Sequence, residues 1–301
     1  MESQENLTKE TTAVVTYSVV SAVQAAEEYI IDSLGWNAIN DTQQEFLDSF
    51  YAVCRGEIPN IKELKSIAHT DADFINTWLK THDFNIQLSP FEENGFGTAG
   101  ILDIMGLWLI QGQSAIVKTD DDEQYPGVRL GEDGVSLFKV DKRKELVAAL
   151  KTRNDDMVYM MMADTVPTGL ALGQTVQDIM EKMTPTSPKF QGVVFPMIDL
   201  NMEGPLDWLL QMQLMIPQGR FPFYFIQQAL QQIKLKMNPE GFRVKSATAI
   251  AMVLGAAPPK RRPYIIDRPF LMWITRPGLS KPLLVSYLNK DVWKDPSGLE
   301  M

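Results

Sequence analysis

Two histidines, one cysteine and 38 carboxylates are the reactive side chains of this 301-residue sequence. Their spacing assembles no catalytic set. His69 and His82 have no cysteine near either of them, so no zinc spacing arises. No Gly-x-Ser-x-Gly elbow and no phosphate loop is present. Asp120 to Glu123 form an acidic run, but the ligand spacing and the glycine of a calcium loop are missing, so it reads as a solvated loop. The single Cys54 excludes an internal disulfide framework and sits in an apolar context, where a thiol packs and stays inert. With no nucleophile, base and orienting group to name, the sequence reads as a non-enzyme with no metal and no cofactor.

The chemistry left is that of the backbone itself, as something another protein could cut. The stretch from Gln231 to Phe270 carries it. Ile233, Leu235 and Met237 alternate with Gln232, Lys234 and Lys236, which predicts a half-buried strand. Asn238-Pro239-Glu240-Gly241 breaks the pattern. Residues 242–257 are rich in small and apolar side chains, with Arg243 and Lys245 the only charges, and Pro258-Pro259 and the basic tip Lys260-Arg261-Arg262 follow. A new strand is expected from Tyr264. A weakly committed segment is thus tethered between two firm strands. In an extended chain Phe242, Val244, Ser246 and Thr248 would share one side, facing a core if the segment joined a sheet. Arg243, Lys245, Ala247 and Ala249 would share the other side and face solvent. A surface connector, helical over Ala249 to Leu254, suits the same residues.

The elements around this stretch read as follows. Residues 13–34 have Val15, Val19, Val23 and Ile30 at helical spacing, with Gly35 as a stop. Phe46 to Cys54 suits a helix end or a strand, and Ile61 to Ile67 a short helical piece. Phe74, Ile75, Trp78 and Leu79 make one apolar helical stripe. Gly100 to Gly112 reads as one central strand, Met157 to Met162 as an apolar strand, and Gly173 to Met183 as a helix ended by Thr184-Pro185. Gly192 to Ile198 is a strand. Gly204-Pro205 opens a helix with Leu206, Leu209, Leu210 and Leu214 on its apolar face. Phe270 to Ile274 and Leu283 to Leu288 form a hairpin around Pro277-Gly278.

The order and spacing of these pieces resemble a serpin. Ile233 to Glu240, Gly241, Ser246-Ala247-Thr248-Ala249 and Asp267-Arg268-Pro269-Phe270-Leu271 are similar to that family's sheet strand, loop hinge and Pro-Phe strand. Ile75-Asn76-Thr77-Trp78 resembles the motif on its helix across the main sheet, and Val166-Pro167 stands where its Leu-Pro turn does. The resemblance implies a single α+β domain over 1–301. This would hold a large mixed sheet with flanking helices, a second small sheet or barrel, and an exposed reactive-centre-type loop. Residues 1–12 would be a polar tail, 13–73 a reduced N-terminal helical part, 74–288 the best-matching region and 289–301 a tail.

For function the resemblance implies a serine-protease inhibitor that acts when its loop is cut and inserts into the sheet. The hinge would be Gly241, Phe242, Arg243, Val244, Lys245, Ser246, Ala247 and Thr248. Family spacing puts the scissile bond at Gly255-Ala256, with Arg261 and Arg262 as alternative cleavage points. Several departures point to weakened or lost inhibition. Gln231 replaces a family His, Gly106 replaces its Asn partner, Pro239 replaces a Glu, and bulky Phe242, Val244 and Lys245 replace small hinge residues. Forcing Phe242 into a formed core is expected to cost about 1–3 kcal/mol. The alternative is a non-inhibitory binding or interaction protein of the same fold. A net charge of −10 argues against nucleic acid and anionic membranes as partners. The resemblance implies a serine protease as the partner, met by a monomer. Residues 1–12 lack a basic start and an apolar core, which predicts a cytoplasmic protein, whereas the family habit is extracellular.

Overall fold

The computed structural model describes residues 7–92, 95–186, 190–217, 223–244 and 262–300. The chain forms two compact units: Met1–Val14, Ile104–Leu200 and Lys234–Met301 make the first, and Val15–Asp103 and Asn201–Ile233 the second.

The first unit is built on a seven-stranded antiparallel sheet. Its strands, in spatial order, are Met183–Pro185, Val135–Val140, Leu146–Lys151, Met157–Met162, Phe270–Thr275, Leu284–Leu288 and Thr12–Val14. The Met157–Met162 strand and the closing hairpin lie where the apolar runs predicted them. Both faces of Phe270–Ile274 are buried, which is why the sequence there is continuously apolar rather than alternating. The helix Leu170–Glu181 starts three residues before Gly173 and covers one face. Its Leu172, Val176 and Ile179 follow helical spacing and pack with Val147, Met161, Leu271, Trp273, Val285 and Tyr287. Burying each such side chain stabilises the unit by about 1.5–3 kcal/mol. Tyr159 and Trp273 stand directly opposite on neighbouring strands, their rings 5.2 Å apart and 6° from parallel. At the sheet's end Arg276 donates two hydrogen bonds to the buried Asp156 carboxylate, at 2.8 and 3.0 Å.

A second sheet of this unit orders Tyr264–Ile265, Val193–Pro196, Gln124–Leu130 and Gln113–Lys118. The acidic run Asp120–Glu123 joins the last two as an exposed turn. Lys290 bridges its Asp121 and Glu123 at 2.6 and 3.0 Å.

The second unit begins with the helix Thr16–Tyr29, which ends well before Gly35. It packs on the strand pair Leu64–His69 and Gly97–Leu102. Gly100 lets the helix approach, because a Cβ there would strike the Ser18 carbonyl and Ser21 Oγ. The helix Ala72–Thr81 is capped by Asp71, whose carboxylate accepts the Asp73 N–H at 2.9 Å, and it buries Ile75 and Leu79 against Phe84, Ala99 and Ile101. Phe74 stays half exposed. Residues 41–54 are helical, with a wider π turn over Leu47–Tyr51. Cys54 is buried there.

Three expectations fail on pairing. Residues 61–67 are not helical: Leu64–His69 is a strand because Gly97–Leu102 offers it a full ladder. The expected Leu206–Leu214 helix is a single 3₁₀ turn at Asp207–Leu209, after which Leu214 pairs with Trp36 and Tyr224 in a small sheet. The Gly100–Gly112 strand is broken at Asp103, and Ile104–Leu107 forms a separate strand.

Candidate functional site: the hairpin at Gly241

The Leu230–Met237 strand has the predicted alternation, with Ile233, Leu235 and Met237 buried. Its first residues are fixed within the second unit. The Gln231 side-chain amide donates to the Val15 carbonyl at 3.3 Å and to Ser18 Oγ at 3.4 Å. Gln232 departs from the alternation and is buried, its Oε1 accepting the Asn85 N–H at 2.6 Å and its Nε2 donating to Asn201 at 2.9 Å.

At the other end the chain reverses. The Asn238 N–H donates to the Gly241 carbonyl at 3.0 Å, and the Asn238 side-chain oxygen accepts the Glu240 N–H at 2.8 Å. Pro239 therefore sits inside a tight turn, where its fixed φ is an asset. The Pro239 departure thus falls within a turn and outside the two flanking strands. Three further bonds hold the turn to the segment after Leu107. Trp108 Nε1 donates to the Asn238 carbonyl at 2.9 Å, the Gly112 N–H to the Pro239 carbonyl at 2.7 Å, and the Trp108 N–H to the Glu240 carbonyl at 3.1 Å.

Beyond the turn, Gly241–Val244 is a strand. It lies between the end of the Leu230–Met237 strand and Ile104–Leu107, antiparallel to both. Four of the expected hinge residues, Gly241, Phe242, Arg243 and Val244, are therefore already sheet residues. Gly241 is required by closeness, since a Cβ there would run into the Gly106 carbonyl and the Leu107 Cα.

Phe242 faces Gly106 across the ladder and is fully buried. Its ring fills the volume that a side chain at 106 would occupy, because a Cβ on Gly106 would collide with the Cε1 and Cζ edge. Trp108 lies 5.9 Å from it, and Phe195 packs edge-on against Trp108 at 5.7 Å. The expected overpacking cost of Phe242 is thus removed by a vacancy in the neighbouring strand. Arg243, expected to face solvent, is 1% exposed.

Lys245, Ser246, Ala247, Thr248, Gly255, Ala256 and Arg261 lie outside the described residues, as does the helical alternative over Ala249–Leu254. Arg262 is exposed, and its carbonyl accepts the Gln191 N–H at 2.9 Å, just before the Tyr264–Ile265 strand pairs in parallel with Val193 and Val194. Trp108 completes the hairpin and was not singled out from sequence, whereas Asn238 was seen only as part of the break after the strand. An aromatic four residues before Gly112 and an Asn-Pro-x-Gly turn were the available signals.

The remaining candidates for chemistry stand apart. His69 stacks on Phe74 at 4.3 Å and accepts the Asp71 N–H through Nδ1 at 3.0 Å. The Nδ1 of His82 lies 2.8 Å from the Trp78 carbonyl oxygen. Among the described residues no group of three or more His, Cys, Asp or Glu is placed to hold a metal ion, and no helix is long and apolar enough to cross a membrane.

No protein-family model matches the sequence, and a search of curated proteins returns no match. Solved structures do match. Protease nexin-1 in a complex with heparin superposes with a TM-score of 0.57 at 14% identity, over 94% of this chain and 93% of that one. Thyroxine-binding globulin in its complex with thyroxine gives 0.53 at 11% identity, over 93% and 92%. Serpin48 of the insect Tenebrio molitor, described as a highly specific serpin, gives 0.50 at 11%, over 91% and 96%. The likeness extends well outside residues 74–288. At such identities it speaks for the fold: this chain is a divergent protein of the serpin fold.

Proposed function

We propose that the protein is a serine-protease inhibitor that acts by loop cleavage and insertion. The observation that carries this reading is the seating of Gly241–Val244 between its two neighbouring strands with a socket ready for Phe242. The bulk of Phe242, which was expected to hinder the step, finds room beside Gly106. On this reading a target protease cuts the segment that follows Val244, at Gly255-Ala256 or at the basic tip, and the freed strand continues down the sheet. Antiparallel ladder bonds and burial of alternate side chains drive that movement. The chain performs no catalysis, needs no cofactor and meets the protease as a monomer. The neighbours named as a protease nexin and as a specific serpin favour a protease partner.

A second reading is a non-inhibitory binding protein. It is favoured by the depth at which Phe242 and Arg243 are held and by the thyroxine complex among the neighbours.

Mixing the protein with elastase-like, chymotrypsin-like and trypsin-like proteases and running denaturing gels separates the two. The inhibitor reading expects a band of summed mass that survives denaturation. A clean nick with fully active protease, and an unchanged melting temperature of the nicked chain, would overturn it in favour of the binding protein.

A further inference from the structure

The Gly241–Val244 strand is held by an unusual cross-strand pair. Phe242 is opposite Gly106, and the ring lies where the missing side chain would be. The fit is exclusive in both directions. A side chain at 106 has no room while the ring is present, and the ring has no room if 106 carries a Cβ. The surroundings are stiff. Trp108 is tied by its indole N–H to the Asn238 carbonyl, and Phe195 backs it from behind. Trp108, Phe195 and Phe242 are all buried, so the ring cannot swing to solvent without opening the sheet.

We propose that Phe242 and Gly106 form a knob-and-socket latch that fixes the Gly241–Val244 strand in the sheet of the uncut chain. Movement of this strand in either direction begins with the ring leaving its socket. The proposal does not depend on inhibition, because the latch works equally in a chain whose loop never traps a protease.

Amide hydrogen exchange on the full chain tests it without any protease. In the parent protein the amides of 241–244 should be protected. In Gly106→Ala they should exchange about tenfold faster or more, and by a clearly larger factor than those of Met157–Met162, which report any loss of overall stability. The decisive arm is the double variant. In a Phe242→Ala background the ring is gone, so Gly106→Ala should add nothing further at 241–244. If Phe242→Ala does not fold, Phe242→Val supplies the background, since it also removes the ring edge. Trp108 fluorescence reports the same event, because the ring 5.9 Å away leaves its side. An equal rise in both segments, no rise at 241–244, or the same rise with and without the ring would each overturn the latch.

Discussion

Two pairs of facing residues in the first unit place aromatic rings in sheets by opposite means. Tyr159 faces Trp273, ring on ring, each strand contributing a side chain to a shared stack. Phe242 faces Gly106, ring on nothing, one strand contributing the side chain and the other its absence. In the first pair both residues are good strand formers and each strand is stable as written. In the second, glycine weakens its own strand and only the presence of the partner makes it correct. The first arrangement suits a permanent structural wall. The second makes one strand conditional on the other, which suits a segment that has to be placed.

The comparison can be broken most strongly at Trp273. Trp273→Ala removes a fully buried ring from the centre of the seven-stranded sheet and should cost about 3–5 kcal/mol. Urea unfolding should show the loss as one cooperative transition shared by all probes. A transition in which the sheet melts separately from the Gly241 hairpin would show that the wall is not common to the unit.

A smaller effect is expected at Gly106. Gly106→Ala adds one methyl to a filled site and should cost about 1–3 kcal/mol in the same urea series. By contrast Tyr159→Phe, which keeps the stacked ring, should leave the unfolding midpoint nearly unchanged. If both substitutions proved silent, Gly106 would be a tolerated gap and the contrast between the pairs would disappear.

The smallest effect lies beyond the closing hairpin, at Lys290. Its ammonium hydrogen-bonds Asp121 and holds that carboxyl below its ordinary 3.8. The Tyr125 hydroxyl and then Lys290 hold Glu123 below its ordinary 4.5. Lowered carboxylate values mean stability that is present above the unfolded values and is lost as pH falls through the folded ones. Lys290→Ala should therefore lower Tm slightly near neutral pH, with the difference fading as pH drops below about 4. The groups are exposed, so added salt should shrink the difference. A difference that persists undiminished at pH 3 would mean that Lys290 acts through packing.

Much of the wall was legible. Met157–Met162 and the hairpin around Pro277-Gly278 are uninterrupted apolar runs bounded by turn residues, and burial on both faces leaves them no other place. The helix Ala72–Thr81 was legible from its apolar stripe. Where local signals were weak or mixed, reading failed. Leu64–His69 and Leu206–Leu214 contain spacings that suit a helix, and ladders with distant strands overrode them. At the hinge, sequence located Gly241 and the odd bulk of Phe242, and it marked Gly106 as a departure. It treated the two as separate defects. They are one fit, because the register that sets 242 opposite 106 joins positions far apart in the chain.

The amino-acid sequence by itself determined the Met157–Met162 strand, the closing hairpin around Pro277-Gly278, the helix that carries Ile75 and Leu79, the turn at Asn238 to Gly241 and the likeness to a serpin. These rest on local periodicity, turn chemistry and composition, which act over a few residues. Tertiary structure alone decided that Gly241–Val244 already pairs in the sheet, that the Asn238–Gly241 turn is tied to Trp108 and Gly112, and that Arg243 is buried. Each of these depends on which strand lies alongside and in what register, and hydrophobic burial sets that only when the whole core is packed.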